Sequence, residues 1–123
     1  RAALASLALF GEGNALAANR LMAQHLWTHT ASLRSHPHVA EVRQTGMILA
    51  VEMAQRTGSK TPYPASERRG LIAYRHALEK GVLLRPLGNV LYLMPPYVLT
   101  LKEAEKLCEV LCEAVDVATR AEV

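Results

Sequence analysis

Apolar residues recur at helical spacing through the first third of the chain. Residues 2–9 are rich in Ala and Leu and favour helix, and "GEGN" at 11–14 interrupts that pattern. A second helix is predicted from Asn14, whose side chain can cap it, to the residues before Pro37, because proline disfavours helix at the preceding position. The apolar face of this helix is predicted to comprise Ala15, Ala18, Met22, Leu26 and Leu33.

The pattern changes to alternation over residues 39–53, "VAEVRQTGMILAVEM", which predicts a strand. Two largely apolar faces result, one with Met47, Leu49, Val51 and Met53, the other with Ile48, Ala50 and Glu52. A strand of this kind is expected to be covered on both sides. Gly46 is expected to mark a bulge or a close backbone approach, and residues 55–64 are predicted to form a loop.

Helical spacing returns from about Pro64 to Lys80. Proline suits the first turn of a helix, and Gly81 is the expected left-handed stop. The predicted apolar stripe of this helix comprises Leu71, Tyr74 and Leu78.

The remaining residues predict two short strands and a helix. "VLLRPLG" and "NVLYLMPP" flank a turn at residues 87–89. Thr100 and Glu103 have capping-box spacing at the start of the last helix. Its predicted buried face comprises Ala104, Leu107, Cys108, Leu111, Ala114, Val115 and Ala118. The order helix, strand, helix, strand, strand, helix predicts an α/β sandwich of the α+β type, with helices packed on a small, mostly antiparallel sheet.

Composition narrows the functional classes. The 123 residues are enough for one small domain, and 50% hydrophobic with 20% charged residues is a globular balance. The net charge of +3 is scattered and aromatic residues make up 5%, which argues against a nucleic-acid surface. The chain begins with Arg rather than Met, so it is expected to be a fragment.

Arg85 and Tyr92 are the principal candidate site residues. A guanidinium offers a planar fork that matches a carboxylate, and Arg85 lies between an apolar run and a tight turn. The alternative, which the residues alone favour, is a solvated arginine or a structural ion pair. Tyr92 lies in an apolar run, where it either lines a pocket or is a core tyrosine whose hydroxyl has a backbone partner.

Histidine and cysteine spacings suggest metal ligands only weakly. His25 and His29 are four residues apart on a predicted helix, but no carboxylate or third ligand follows nearby, so solvated helix-face histidines are favoured and no metal site is predicted. Cys108 and Cys112 lack a second ligand pair, and they are expected to be buried or half-buried thiols in a reducing cytosol.

Several segments together resemble the C-terminal part of class III aminotransferases. They include residues 39–53, "KTPYP", "ERRGL" and "YRHALEKGVLLRPLGNVLYLMPPY", and the resemblance is strongest over 39–98. It implies the small C-terminal domain of a fold type I transferase that depends on pyridoxal 5'-phosphate and works as a cytoplasmic homodimer. Residues 1–36 would be a helical segment leading from the large domain, and residues 37–123 the small domain.

"LLRPLGNVLYLMPPY" is the most specific segment, and it resembles the branch of the family that acts in biotin biosynthesis. That branch transfers an amino group from S-adenosylmethionine to 8-amino-7-oxononanoate, giving 7,8-diaminononanoate. The resemblance implies that Arg85 binds the substrate carboxylate and that Tyr92 lies near the substrate. The alternatives are another class III aminotransferase, of the acetylornithine or γ-aminobutyrate type, or a stand-alone carboxylate-binding or interaction module.

The family also needs a lysine that forms a Schiff base with the cofactor, and the resemblance implies that it precedes this region. The lysines of the chain do not match it; they are Lys60, Lys80, Lys102 and Lys106. The chain is therefore predicted to hold no catalytic or cofactor-binding residue, to bind no pyridoxal phosphate and to be inactive alone. It is also predicted to self-associate through exposed apolar surface, with the first 35 residues most prone to rearrange.

Overall fold

A computed structural model of the chain describes residues 1–56, 58 and 60–123. Its helices are α1 (Ala2–Glu12), α2 (Ala15–His29), α3 (Ala31–Arg34), α4 (Arg69–Glu79) and α5 (Leu101–Arg120). Its strands are β1 (Val39–Thr45), β2 (Ile48–Met53), β3 (Arg85–Leu87) and β4 (Val90–Leu93). They form one sheet in the order β1-β2-β4-β3, with each neighbouring pair antiparallel. The predicted α+β fold is confirmed.

The N-terminal segment is divided into more helices than predicted. Asn14 precedes α2 with a left-handed φ of 50°, and its side chain makes no capping hydrogen bond. The helix stops at His29 because Thr30 leaves helical geometry, while the Thr30 hydroxyl donates to the Leu26 carbonyl over 2.8 Å. Of the predicted apolar face, Leu26 and Leu33 are buried. The expectation of one continuous helix up to Pro37 is therefore wrong.

Residues 39–53 form a hairpin rather than one strand. β1 and β2 pair antiparallel, and Gly46 lies in the connecting turn with φ of 57°, a conformation that glycine adopts without steric cost. Gly46 thus reverses the chain instead of marking a bulge.

The sheet is covered on one face by the residues of this chain. On β2, Leu49, Val51 and Met53 are fully buried in the main core. On the opposite face, Ile48 is 42% exposed and Glu52 is only half-buried. The predicted cover on both sides is thus not found among the described residues, and this second face is called the outer face below.

Helix α4 begins five residues later than predicted. A 3₁₀ turn covers Ala65–Glu67, and Arg68 then adopts a left-handed φ of 49° that separates this turn from α4. The predicted stop is confirmed: Gly81 has φ of 80°, its N–H donates to the Leu78 carbonyl, and Val82 N–H donates to Ala77. Those two hydrogen bonds satisfy carbonyls that the end of the helix leaves unpaired.

The buried face of α4 also differs from the predicted one. Gly70, Ala73 and Ala77 face the core, whereas Leu78 is 51% exposed. Small residues on this face let α4 lie close to its neighbours. A Cβ at Gly70 would lie 2.4 Å from the carbonyl oxygen of Gly88, in the β3–β4 turn.

The C-terminal elements match their predictions. β3 and β4 form the expected hairpin, with Gly88 in its turn at φ of 61°. The capping box of Thr100 and Glu103 is present at the start of α5. The predicted buried face of α5 is buried except for Leu107, which is half-buried against the core. No helix in the described part of the chain is both long and apolar enough to span a bilayer.

Candidate functional site

One residue from each strand contributes to a row across the outer face. Arg85 on β3 pairs with Tyr92 on β4, Tyr92 pairs with Ala50 on β2, and Ala50 pairs with Arg43 on β1. Directly paired residues project from the same side of a sheet with their Cβ atoms about 5 Å apart. The structure therefore brings the two predicted site residues, Arg85 and Tyr92, side by side.

The two arginines of this row have different electrostatic environments. Arg43 donates to Glu52 over 2.9 Å and to Glu41 over 3.0 Å. The hydrogen bond to Glu52, followed by that to Glu41, raises the pKa of Arg43. Arg85 is exposed and makes no ion pair with any described residue. The structural ion pair considered for Arg85 is thus absent from the described part, and its guanidinium is open to a ligand.

The surroundings of Arg85 are apolar. Leu83 is 64% exposed and Leu87 is 72% exposed, and each lies two residues from Arg85 along the chain. An anion that binds Arg85 while covering these side chains excludes water from the pair, which strengthens the attraction between the charges. The surface can therefore hold a molecule with a carboxylate at the end of an apolar chain.

The hairpin that carries Arg85 is fixed from behind. The Asn89 side-chain amide donates to the Tyr63 carbonyl over 2.9 Å, and the Met53 N–H donates to the Asn89 carbonyl over 2.8 Å. Gly70 of α4 lies against Gly88 of the same turn. A hollow of about 330 Å³ also adjoins the turn, but Arg85 does not line it. Arg85 lies instead on the open outer face.

Arg69 has a structural role that the sequence analysis did not anticipate. Its guanidinium donates to the Ala118 carbonyl over 2.7 Å and to the Ala121 carbonyl over 3.1 Å, at the end of α5. It also pairs with Glu67 and stacks 4.1 Å from the centroid of the Tyr63 ring. These contacts join the start of α4 to the end of α5. Arg68, the preceding residue, is exposed.

Both cysteines are free thiols, Cys108 buried and Cys112 half-buried, as predicted. Burial raises the pKa of Cys108 to about 12. Burial also raises the pKa of Cys112. Both thiols therefore stay protonated at neutral pH, which makes them poor nucleophiles.

The lysines of the chain lie at the surface, on loops and helix ends. All four are exposed, in the loop before α4, at the end of α4 and in the first turns of α5, and none lies on a strand.

Residues 1–115 match the sequence profile of aminotransferase class-III, and the chain belongs to that family. This confirms the resemblance seen in the sequence. Two curated relatives carry the name adenosylmethionine-8-amino-7-oxononanoate aminotransferase. The protein from Nitratidesulfovibrio vulgaris is 40% identical over 86% of this chain and 20% of its own length. The protein from Methanocaldococcus jannaschii is 34% identical over 93% of this chain and 25% of its own.

Solved structures show the same fold. The crystal structure of the Methanocaldococcus jannaschii aminotransferase superposes with a TM-score of 0.87 at 34% identity, covering 94% of this chain and 26% of that one. The omega transaminase from Pseudomonas jessenii, in complex with PMP, gives 0.84 at 29% identity over 93% and 25%. The chain thus spans about a quarter of the length of these relatives.

Proposed function

We propose that the chain is the substrate-binding C-terminal part of a pyridoxal-phosphate-dependent aminotransferase of biotin biosynthesis. The complete enzyme transfers an amino group from S-adenosylmethionine to 8-amino-7-oxononanoate, giving 7,8-diaminononanoate. The observation that carries the proposal is Arg85, which has no ion-pair partner among the described residues and lies beside Tyr92 and between the exposed Leu83 and Leu87. The chain is also 40% and 34% identical to two relatives named adenosylmethionine-8-amino-7-oxononanoate aminotransferase. In the cell the enzyme is a cytoplasmic homodimer.

In this proposal Arg85 holds the carboxylate of the substrate. Its two parallel N–H groups fit the two carboxylate oxygens, and a hydrogen bond to a charged group contributes about 1.5–3 kcal/mol. The nonanoate chain is apolar between its functional groups, so it suits the surface formed by Leu83 and Leu87. Tyr92 is the cross-strand partner of Arg85, so its ring would contact that chain.

The cofactor of the family is pyridoxal 5'-phosphate, which acts as an electron sink for the amino group in transfer. Because the four lysines here are exposed, its covalent attachment would come from a part of the enzyme outside these residues. This chain contributes substrate binding and orientation, and alone it is inactive. Formation of 7,8-diaminononanoate by the 123-residue chain supplied with pyridoxal phosphate and both substrates would contradict that last statement.

The test uses the complete enzyme encoded by the reading frame that contains this sequence. kcat/KM is measured with 8-amino-7-oxononanoate and with its methyl ester, which lacks the charge. Arg85→Met should lower kcat/KM for the acid by roughly 10- to 100-fold and should change that for the ester little, and Arg85→Lys should restore part of the loss.

Arg43→Met is the matched control, since Arg43 lies at the other end of the same row and is already bound to two carboxylates. It should leave the preference for acid over ester unchanged. Equal losses on acid and ester in Arg85→Met, or an equal effect of Arg43→Met, would refute the role of Arg85.

A second candidate function is another transamination within the same fold. The likeness to an omega transaminase at a TM-score of 0.84 favours it, because the fold alone does not set the substrate. Comparing S-adenosylmethionine with acetylornithine and γ-aminobutyrate as amino donors of the complete enzyme distinguishes these functions.

A further inference from the structure

Three possible metal ligands meet where α2 packs on α5. His25 and His29 come from the last two turns of α2, and Glu105 comes from the first turns of α5. One ligand atom from each lies within 4.8 Å of the others. We propose that these residues bind a divalent transition-metal ion, with zinc the ion that fits best.

The first argument is the unsatisfied nitrogen of His25. Its Nε2 atom is buried and is the one such side-chain atom without a hydrogen-bond partner among the described residues. The nearest acid oxygen, Oε1 of Glu105, is 3.8 Å away, too far for a hydrogen bond. Leaving a buried polar atom unpaired costs about 1–3 kcal/mol. A metal ion between His25 and Glu105 would satisfy this nitrogen.

The second argument is the spacing of the ligand atoms. Zinc lies about 2.1 Å from imidazole nitrogen and carboxylate oxygen, so two ligand atoms at a tetrahedral angle are about 3.4 Å apart. The 3.8 Å between His25 and Glu105 is about 0.4 Å wider than this. The widest separation, at most 4.8 Å, has to close by up to about 1.4 Å. His29 is exposed at the end of α2 and can rotate to close it.

The third argument is the rigid support beneath the site. Between the two histidines, Leu26 is fully buried against Ala104 and Cys108 of α5. This contact holds the two helices together before any ion binds, so little backbone order is lost on binding. Two imidazoles and one carboxylate leave the fourth tetrahedral position to water. The site involves no residue of the outer sheet face, and it does not depend on the proposed function.

The ligand set selects the ion. Imidazole nitrogen suits zinc, copper, nickel and iron, whereas magnesium and calcium prefer oxygen. Binding would connect helices that are about 80 residues apart in the sequence, and it would stabilise the folded chain because the unfolded chain lacks the site.

The experiment measures binding of zinc to the metal-free 123-residue chain by calorimetry, and the thermal midpoint with and without zinc. Cobalt is the spectroscopic probe, since a tetrahedral site gives visible absorbance bands. We expect one bound ion per chain and a rise in the thermal midpoint. His29→Ala and Glu105→Gln should each weaken binding at least tenfold and abolish the cobalt bands.

His76→Ala is the matched control. His76 on α4 lies 3.3 Å from Glu113 on α5, a single histidine–carboxylate pair of similar exposure. This variant should bind zinc as the wild type does. The proposal is overturned if the wild type shows no binding at 100 µM zinc, or if the His29 and Glu105 variants bind as tightly as the wild type.

Discussion

Replacing Gly70 with alanine tests whether α4 positions the hairpin that carries Arg85. The new Cβ would lie 2.4 Å from the Gly88 oxygen and 3.1 Å from the Pro86 Cβ. To reach even 3.0 Å, the oxygen must move by about 0.6 Å. Because that oxygen belongs to the backbone, no side-chain rotation relieves the overlap, and the turn itself has to shift.

Two opposing contributions set the change in the free energy of unfolding that this substitution causes. Alanine is favoured over glycine within a helix by about 0.8–1 kcal/mol, which on its own would stabilise α4. Overpacking costs about 1–3 kcal/mol, and an overlap with backbone that no rotamer relieves belongs to the upper part of that range, about 2–3 kcal/mol. We therefore expect a net loss of about 1–2 kcal/mol in the free energy of unfolding.

Urea denaturation of the 123-residue chain measures this loss, and Gly11→Ala is its control. Gly11 lies in α1, and apart from its chain neighbours and the backbone of its own helix no atom lies within 4 Å of the position that a Cβ would take. Alanine there should therefore be neutral or slightly stabilising. In the complete enzyme, Gly70→Ala should also raise KM for 8-amino-7-oxononanoate, because the turn beside Arg85 has moved. A Gly70→Ala chain as stable as the wild type would refute the close approach of α4 to the hairpin.

Three further predictions concern stability and assembly. Arg69→Met should lower the free energy of unfolding by about 2–4 kcal/mol in urea, since it leaves the α5 carbonyls unpaired, whereas Arg68→Met should have little effect. The folded-state pKa of Cys108, about 12, exceeds its ordinary 9.0, so the unfolded thiol ionises first and stability falls as pH rises from about 9 to 12. Over that pH range the free energy of unfolding of the wild type should fall by up to about 1.4 kcal/mol per pH unit more than that of Cys108→Ala. Equal pH dependence of the two unfolding free energies would count against burial of the thiol. Helix α1 has no buried residue and leaves Leu7 66% exposed, so light scattering should show self-association that Leu7→Glu reduces, and a monomer at millimolar concentration would contradict this.

The sequence alone determined the features that depend on local chemistry. The capping box of α5, the glycine stop after α4 and the hairpin around Gly88 each involve residues within a few positions of one another. Such contacts form in almost any tertiary setting, so residue type and spacing are sufficient to predict them. The family resemblance is of the same kind, because it rests on contiguous segments. The division of the chain at residue 36 and the roles of Arg85 and Tyr92 stay predictions.

The tertiary structure decided what depends on a distant partner. Periodicity predicted Leu71, Tyr74 and Leu78 as the buried stripe of α4, but the structure buries Gly70 and two alanines instead. At Gly70 the close approach of the β3–β4 turn leaves no room for a side chain. Glu41, two residues before Arg43 on β1, is a local partner, but the second carboxylate, Glu52, reaches Arg43 only through the register of β1 and β2. The register of β3 brings no carboxylate to Arg85 in the described part of the chain. Likewise Glu105 reaches His25 only because Leu26 packs on α5. Local spacing shows which side chains are available, and only the packing of remote segments shows which of them meet.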